Sequence, residues 1–209
     1  MIYMKISDKQ INIALHDIPL PYRDFLKEDN GLYSFNNSFL DKEDSFFINI
    51  LCYLADAFGI RITVSEADVL YKHFCSMREY NKITNLTRIT DTWSALVLHY
   101  LDSLLNILVM QNLNINLQTQ TILDLGTGAG FPGIPLSIKV PKKLVLCDSV
   151  GKKTKFLSHY IAENRIDGPN YIENKRVEEL SPQYDHQFTL IVTRAVAQLS
   201  ILLEYASPL

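Results

Sequence analysis

Apolar positions recur at helical spacing through the first half of the chain and in short alternating runs through the second. Phe46, Phe47, Ile50, Leu51 and Leu54 share one face of a 3.6-residue period, and Gly59 supplies a C-terminal stop. A second helix is predicted from Ser65, with Asp68 three residues on as a capping pair and Leu70, Phe74 and Met77 along its apolar face. A third is predicted from Asp91 or Thr92 to about Met110. Ahead of these, residues 1–42 are polar, with turn signals at Pro19, Pro21, Asp29-Asn30-Gly31 and Asn36-Asn37, and read as an irregular N-terminal arm.

After a polar linker at 111–120, strands alternate with helices. "TILDL" (121–125), "KLVLCD" (143–148), "NYIEN" (170–174) and "TLIVTRAV" (189–196) read as four strands. Pro132 and Pro135 open a helix after the first, and a helix over 152–164, with Phe156, Leu157, Tyr160 and Ile161 on its buried side, follows the second. Such alternation implies right-handed crossovers and a parallel sheet covered on both faces. The fold class is therefore α/β and Rossmann-like, divided into an arm (1–42), a helical region (43–111) and a ligand-binding domain (121–209). Its ligand should sit beyond the C-terminal strand ends, where chain reversal opens a crevice.

The candidate chemistry falls at that edge. In "ILDLGTGAGFPGIP" (122–135), Gly126 and Gly128 let the backbone turn sharply and approach a ligand, and Gly130 serves helix packing. A dinucleotide fingerprint requires a third glycine at position 131, where this chain has Phe131, which disfavours a nicotinamide enzyme. Asp148 ends the second strand 24 positions after Asp124, near the roughly 20-residue offset of an acid that accepts hydrogen bonds from ribose hydroxyls. Arg194 interrupts an apolar run, where a cation needs a partner, so it is either a site residue or half of a structural ion pair. His99 and Asp102 lie one helical turn apart and can meet the catalytic half or form a plain packing network.

Charge and composition narrow the classes. With 47% hydrophobic residues the chain can build a full core, and a net charge of -3 argues against nucleic-acid binding by bulk electrostatics while permitting a local basic face. Candidate phosphate contacts are Lys142, Lys143, Lys152, Lys153 and Lys155, with Lys82 and Arg88 from the helical region. The N-terminus "MIYMKISDKQ" has no signal-peptide pattern, and the apolar run 107–110 falls short of the about 20 residues that span a bilayer, so a cytoplasmic protein without a membrane anchor is expected. Cys52, Cys75 and Cys147 read as inert core thiols, and Asn85-Leu86-Thr87 as structure rather than a glycosylation site.

Taken in order and spacing, "YNKITNLTRI", "HYLDSLL", "ILDLGTGAGFPGIP", "LCDSVGKKTKFL", "RVEEL" and "VTRAVAQLS" resemble the glucose-inhibited division protein B family, bacterial guanine-N7 methyltransferases of small-subunit ribosomal RNA. The resemblance covers roughly 46–209. It implies S-adenosylmethionine as cofactor, no metal, and 16S rRNA or the small ribosomal subunit as partner, with the target guanine in a loop near the decoding site. It also implies that Gly126 and Phe131 line the methionine and adenosine pocket, Val177 and Glu178 flank the adenine, Asp148 holds the ribose and Arg194 lies over the transfer crevice. Glu178 and Glu179 read equally as a solvated helix start. Arg194 is the one catalytic candidate, since N7 carries its own lone pair and needs no base; Phe131 and Tyr100 are aromatic candidates to stack on the target base. Class I methyltransferases continue past the fourth strand, whereas this chain stops at "ILLEYASPL", so a sheet short of the usual C-terminal strands is expected. A monomer is expected, and the alternative function is a non-catalytic remnant that binds RNA or a protein partner.

Overall fold

The computed structural model describes residues 24–29, 32–139, 142–164 and 170–209. Part of the region read as an irregular arm is ordered into regular structure. Strand β1 (Leu26–Asp29) pairs antiparallel with β2 (Leu32–Phe35), and a 3₁₀ segment, Asn37–Lys42, leads into the first helix. Asp29 closes β1, and just past β2 the Asn36 amide donates to the Phe25 carbonyl at 2.6 Å, while the Phe25 ring packs on Phe39 and Phe46. Residues 1–23 lie outside the described residues.

Three helices follow. Helix α1 (Glu43–Ala57) buries Phe46, Phe47, Ile50, Leu51 and Leu54, and Gly59 ends it with φ +76°. Helix α2 (Val64–Asn81) begins one residue before the predicted Ser65, and its cap lies two residues before it. Thr63 is its cap: the Thr63 hydroxyl accepts from the Glu66 amide at 3.1 Å while the Glu66 carboxylate accepts from the Thr63 amide at 2.6 Å. That reciprocal box satisfies two orphan donors where Ser65 would satisfy one. The helical segment α3 (Thr92–Asn112) starts at Asp91, as expected, but is π-wound over Leu96–Leu101. Buried Glu43 ties the three together, taking both Nη atoms of Arg78 at 2.7 and 2.8 Å and the hydroxyl of Thr92.

By length and composition α3 is the one helix among the described residues that could cross a membrane, which the short apolar run 107–110 had hidden; 67% of its apolar window is buried inside the protein. It packs on α1 and on the helix after the glycine turn, as a core helix does.

The second half is a parallel sheet of four described strands in the order β5-β4-β3-β6: β3 (Thr121–Leu125), β4 (Lys143–Cys147), β5 (Asn170–Glu173) and β6 (Leu190–Thr193). Helix α4 (Gly133–Ser137) links β3 to β4, and α5 (Gly151–Asn164) links β4 to β5. The chain then crosses back past β3 through α6 (Ser181–Tyr184), so β3 is the reversal point at whose C-terminal end a crevice opens. One face of the sheet joins the helical half in a single core containing Ile122, Leu144, Leu146 and Phe156; the other, with Leu123, Leu125 and Val145, is covered by α6 and α7 (Leu199–Ala206). The expected strand 189–196 is shorter than its apolar run, because Arg194, Ala195 and Val196 leave the ladder and Ala195 adopts φ +55°. The last residues fold back, with the Phe188 amide donating to the Leu209 carbonyl at 3.1 Å.

Candidate active site

An open cavity of about 460 Å³ lies at the C-terminal ends of β3, β4 and β6. Three walls meet there: Leu86, Thr87 and His99 from the helical half, the glycine turn 126–129 with Phe131, and the segments after β4 and β6, which bring Asp148, Val150 and Lys153 on one side and Arg194, Ala195 and Val196 on the other. The sequence placed the turn, Asp148 and Arg194 at this edge; Leu86 and Thr87, read there only as structure and as part of the "YNKITNLTRI" motif, reach the cavity from beyond the end of α2, which packs against α5.

The turn is built by its glycines. Gly126 and Gly128 have φ of +71° and +63°, a region that costs other L-residues about 1–2 kcal/mol. A Cβ on Gly126 would lie 2.3 Å from Val196 Cγ2, whereas one on Gly128 would find nothing nearer than the Gly126 carbonyl at 4.0 Å, so the wall at Gly128 is bare backbone beside open space. Gly126→Ala is therefore expected to lower stability by about 1–3 kcal/mol and to displace the Ala195–Val196 loop. A urea titration with amide shifts of residues 194–197 checks this; an unmoved loop would contradict it.

Below the turn, Asp124 is fully buried, and its Oδ2 accepts from the Thr127 hydroxyl at 2.6 Å and from the Gly133 amide at 2.7 Å. Among the described residues its Oδ1 has no partner, and burial pushes the carboxyl up to about 7 against those two bonds. Above it, His73 of α2 lies between Ala129 and Tyr100, its Nε2 donating to the Ala129 carbonyl at 2.9 Å and its Nδ1 accepting from the Tyr100 hydroxyl at 2.7 Å. A carbonyl can only accept, which fixes the tautomer. Burial pushes His73 down to about 3. His73 was missed in the sequence because its partner is 56 residues away.

Asp148 stands at the end of β4, 7% exposed, and uses its carboxylate to brace the wall: Oδ2 accepts from the Gly128 amide at 2.9 Å and Oδ1 from the Val150 amide at 2.8 Å. Lys153 lies 3.4 Å from Oδ2, so this lysine, a candidate for phosphate contact, is committed to the cavity. Of the other cations, Lys82 pairs with Glu79 and Lys143 sits over the rings of Tyr171 and Tyr184, while Arg88, Lys142, Lys152 and Lys155 are exposed.

Arg194 serves as both alternatives at once: it lines the cavity and closes an ion pair. Its Nη1 donates to Asp102 Oδ2 at 3.2 Å and to the Leu98 carbonyl at 3.1 Å, and its Nη2 donates to His99 Nδ1 at 3.1 Å. The π-wound turn makes this possible, since the Asp102 amide donates to the Val97 and His99 carbonyls and leaves Leu98 to the guanidinium. Burial, then the charge of Arg194, pushes His99 down to about 4.

Other expected positions are arranged differently. Phe131 is at the rim of the cavity but only 4% exposed, stacked on His99 with ring centroids 4.5 Å apart and with Arg194 over its ring at 5.1 Å. Tyr100 is fully buried, so neither aromatic is free to stack on a base. Val177 and Glu178 form a 3₁₀ turn after β5, on the same sheet edge but outside the cavity wall; Val177 packs on the second core and Glu178 interacts with Tyr205 of α7.

Residues 68–209 match the family model described as GidB, rRNA small subunit methyltransferase G. The chain belongs to the rRNA small subunit methyltransferase G family. Relatives bearing the name ribosomal RNA small subunit methyltransferase G include one from Acetivibrio thermocellus, 32% identical over 81% of this chain and 69% of its own length. Another, from Thermoanaerobacter sp. X514, is 39% identical over 77% and 66%, and one from Mycoplasma capricolum is 43% identical over 60% and 52%. The chain thus spans between about half and about two thirds of the length of these curated relatives.

Proposed function

We propose that this chain is an S-adenosylmethionine-dependent methyltransferase that methylates N7 of a guanine in 16S rRNA, in the decoding-region loop of the small ribosomal subunit. The observation that carries the reading is the convergence, on one open cavity at the strand ends, of a bare-backbone glycine turn, the Asp148 carboxylate and the Arg194–His99 pair. Family membership supports it independently. The residues fit the cofactor: Gly128 leaves a cradle that a Cβ would fill, and Asp148 retains acceptor capacity for a ribose diol beyond its two backbone bonds. In this reading Gly126, Gly128, Phe131, Asp148 and Arg194 surround the cofactor, and Val177 and Glu178 flank it from the outer rim.

S-adenosylmethionine would supply a methyl group on a positively charged sulfur, which the lone pair of guanine N7 attacks directly. The chain therefore has to position the base, and no residue has to remove a proton. His99 suits that: Nδ1 is taken by Arg194 and Nε2 by Thr87, leaving no lone pair to act as a base. Preorganised geometry and the fixed dipoles of the turn then supply the rate. The exposed Arg88, Lys142, Lys152 and Lys155 offer phosphate contacts that set register. The reading carries with it a monomer acting in the cytoplasm without a metal.

Calorimetric titration with S-adenosylmethionine, with NAD as control, followed by methyl transfer to 16S rRNA, tests it. Saturable binding of the first ligand alone and N7 methylation are expected; binding without transfer would favour the non-catalytic, RNA- or partner-binding alternative. Asp148→Ala is expected to weaken S-adenosylmethionine by about 10- to 100-fold, the worth of hydrogen bonds to a charged acceptor. Unchanged affinity would remove Asp148 from the pocket.

A further inference from the structure

Thr87 is held more tightly than a loop residue needs to be. The Asn81 side chain, at the end of α2, accepts from the Leu86 and Thr87 amides at 2.6 and 3.0 Å and donates to the Thr87 carbonyl at 3.0 Å. The Thr87 hydroxyl oxygen accepts from the Ile89 amide at 3.1 Å and meets His99 Nε2 at the same distance. The direction of that last bond is fixed from across the ring. A guanidinium has only donors, so His99 Nδ1 accepts from Arg194, the ring proton sits on Nε2, and Nε2 donates to Thr87. A hydroxyl has two acceptor lone pairs and one proton. With both lone pairs occupied, only the proton is left, and among the described residues it has no acceptor. The Thr87 hydroxyl is therefore left with a donor and nothing else, on a residue that lines the cavity.

We propose that Thr87 determines base specificity, its hydroxyl donating to O6 of the target guanine beside the reacting N7; this rests on the methyltransferase reading above. Asp148 and Val150 occupy the cavity wall that suits the cofactor, and Thr87 and His99 stand on the wall contributed by the helical half. Guanine carries two acceptors, N7 and O6, on one edge, whereas adenine carries an amino donor in the place of O6. A hydroxyl that cannot accept opposes that amino group donor to donor. The chain of bonds from the Arg194 guanidinium through His99 to Thr87 polarises the hydroxyl further. Thr87 thus selects the base and leaves the N7 lone pair free for transfer.

The test pairs an enzyme change with a substrate change. Methyl transfer is measured on a 16S rRNA fragment carrying guanine, or 2-aminopurine, which keeps N7 and lacks O6, at the target position. Thr87→Val is expected to lower kcat/KM on the guanine RNA by about 10- to 100-fold, the worth of a base-edge contact, and Thr87→Ser to restore most of it. Wild type should lose a similar factor on 2-aminopurine RNA, where Thr87→Val should cost nothing more. Affinity for S-adenosylmethionine should stay within about twofold in both variants, because the hydroxyl is assigned to the base. Wild-type kcat/KM in Thr87→Val, or the same additional loss on both RNAs, overturns the proposal. So does an about tenfold weaker S-adenosylmethionine affinity in Thr87→Val, which would give the hydroxyl to the cofactor. A wild-type protein that binds S-adenosylmethionine and methylates neither RNA overturns the methyltransferase reading itself, a result distinct from any of these.

Discussion

Arg194→Met is expected to lower stability by about 2–4 kcal/mol, the cost of leaving a mostly buried carboxylate without its cation, reduced somewhat because the pair is not sealed. The side chains of Arg194 and Asp102 are 17% and 18% exposed, and burial holds Asp102 above the usual carboxylate range even against the charge and hydrogen bond of Arg194. Removing the guanidinium also strips the Leu98 carbonyl and His99 Nδ1 of their donor. Most of this cost is an orphaned charge rather than a lost attraction, so removing the acid as well should recover part of it. Arg194→Met with Asp102→Leu is expected to be more stable than the sum of the two single changes by at least about 1 kcal/mol. Urea titrations of the four proteins measure this. Simple additivity would mean that the ion pair contributes nothing and that Arg194 is held by Leu98, His99 and Phe131 instead.

Acid is expected to unfold the protein earlier than its acidic composition suggests. His73 titrates near 3 in the folded chain because burial excludes its charged form, and near 6.5 unfolded. As pH falls from 6.5 the unfolded chain takes up a proton that the folded chain refuses, so stability drops progressively down to about pH 3, by about 4 kcal/mol from this residue. His99, at about 4, adds to the loss over a narrower window. Asp124 works against both. Its folded carboxyl holds a proton up to about 7 while the unfolded one releases it near 3.8, so its contribution falls as pH rises through that interval. Two variants should therefore move the acid limb of a stability–pH curve in opposite senses. His73→Phe should flatten it, at the expense of about 1–3 kcal/mol at pH 7 for the unpaired Ala129 carbonyl, and Asp124→Asn should steepen it. Parallel curves for all three proteins would show that neither group titrates as its burial demands.

The same residues separate what was readable in the chain from what was not. The alternation of strands and helices, the left-handed glycines of the turn, the capping Asp91 and the position of Asp148 at the end of β4 followed from periodicity and turn chemistry, which act over a few residues to a few tens. A run of apolar residues could not say where β6 ends. Arg194 leaves the ladder because Leu98, His99 and Asp102, more than 90 residues earlier, offer it three partners. Nor could local pattern show the π-wound turn that frees Leu98, the placement of His73 under Ala129, or the hydroxyl of Thr87 turned donor by a ring whose tautomer Arg194 sets. Sequence by itself determined the Rossmann-like frame and the edge on which a ligand belongs. Tertiary structure decided which polar groups are spent on one another and which still face the cavity, because a buried donor or acceptor is satisfied by whatever the packed chain brings within about 3 Å, and chain separation plays no part in that choice.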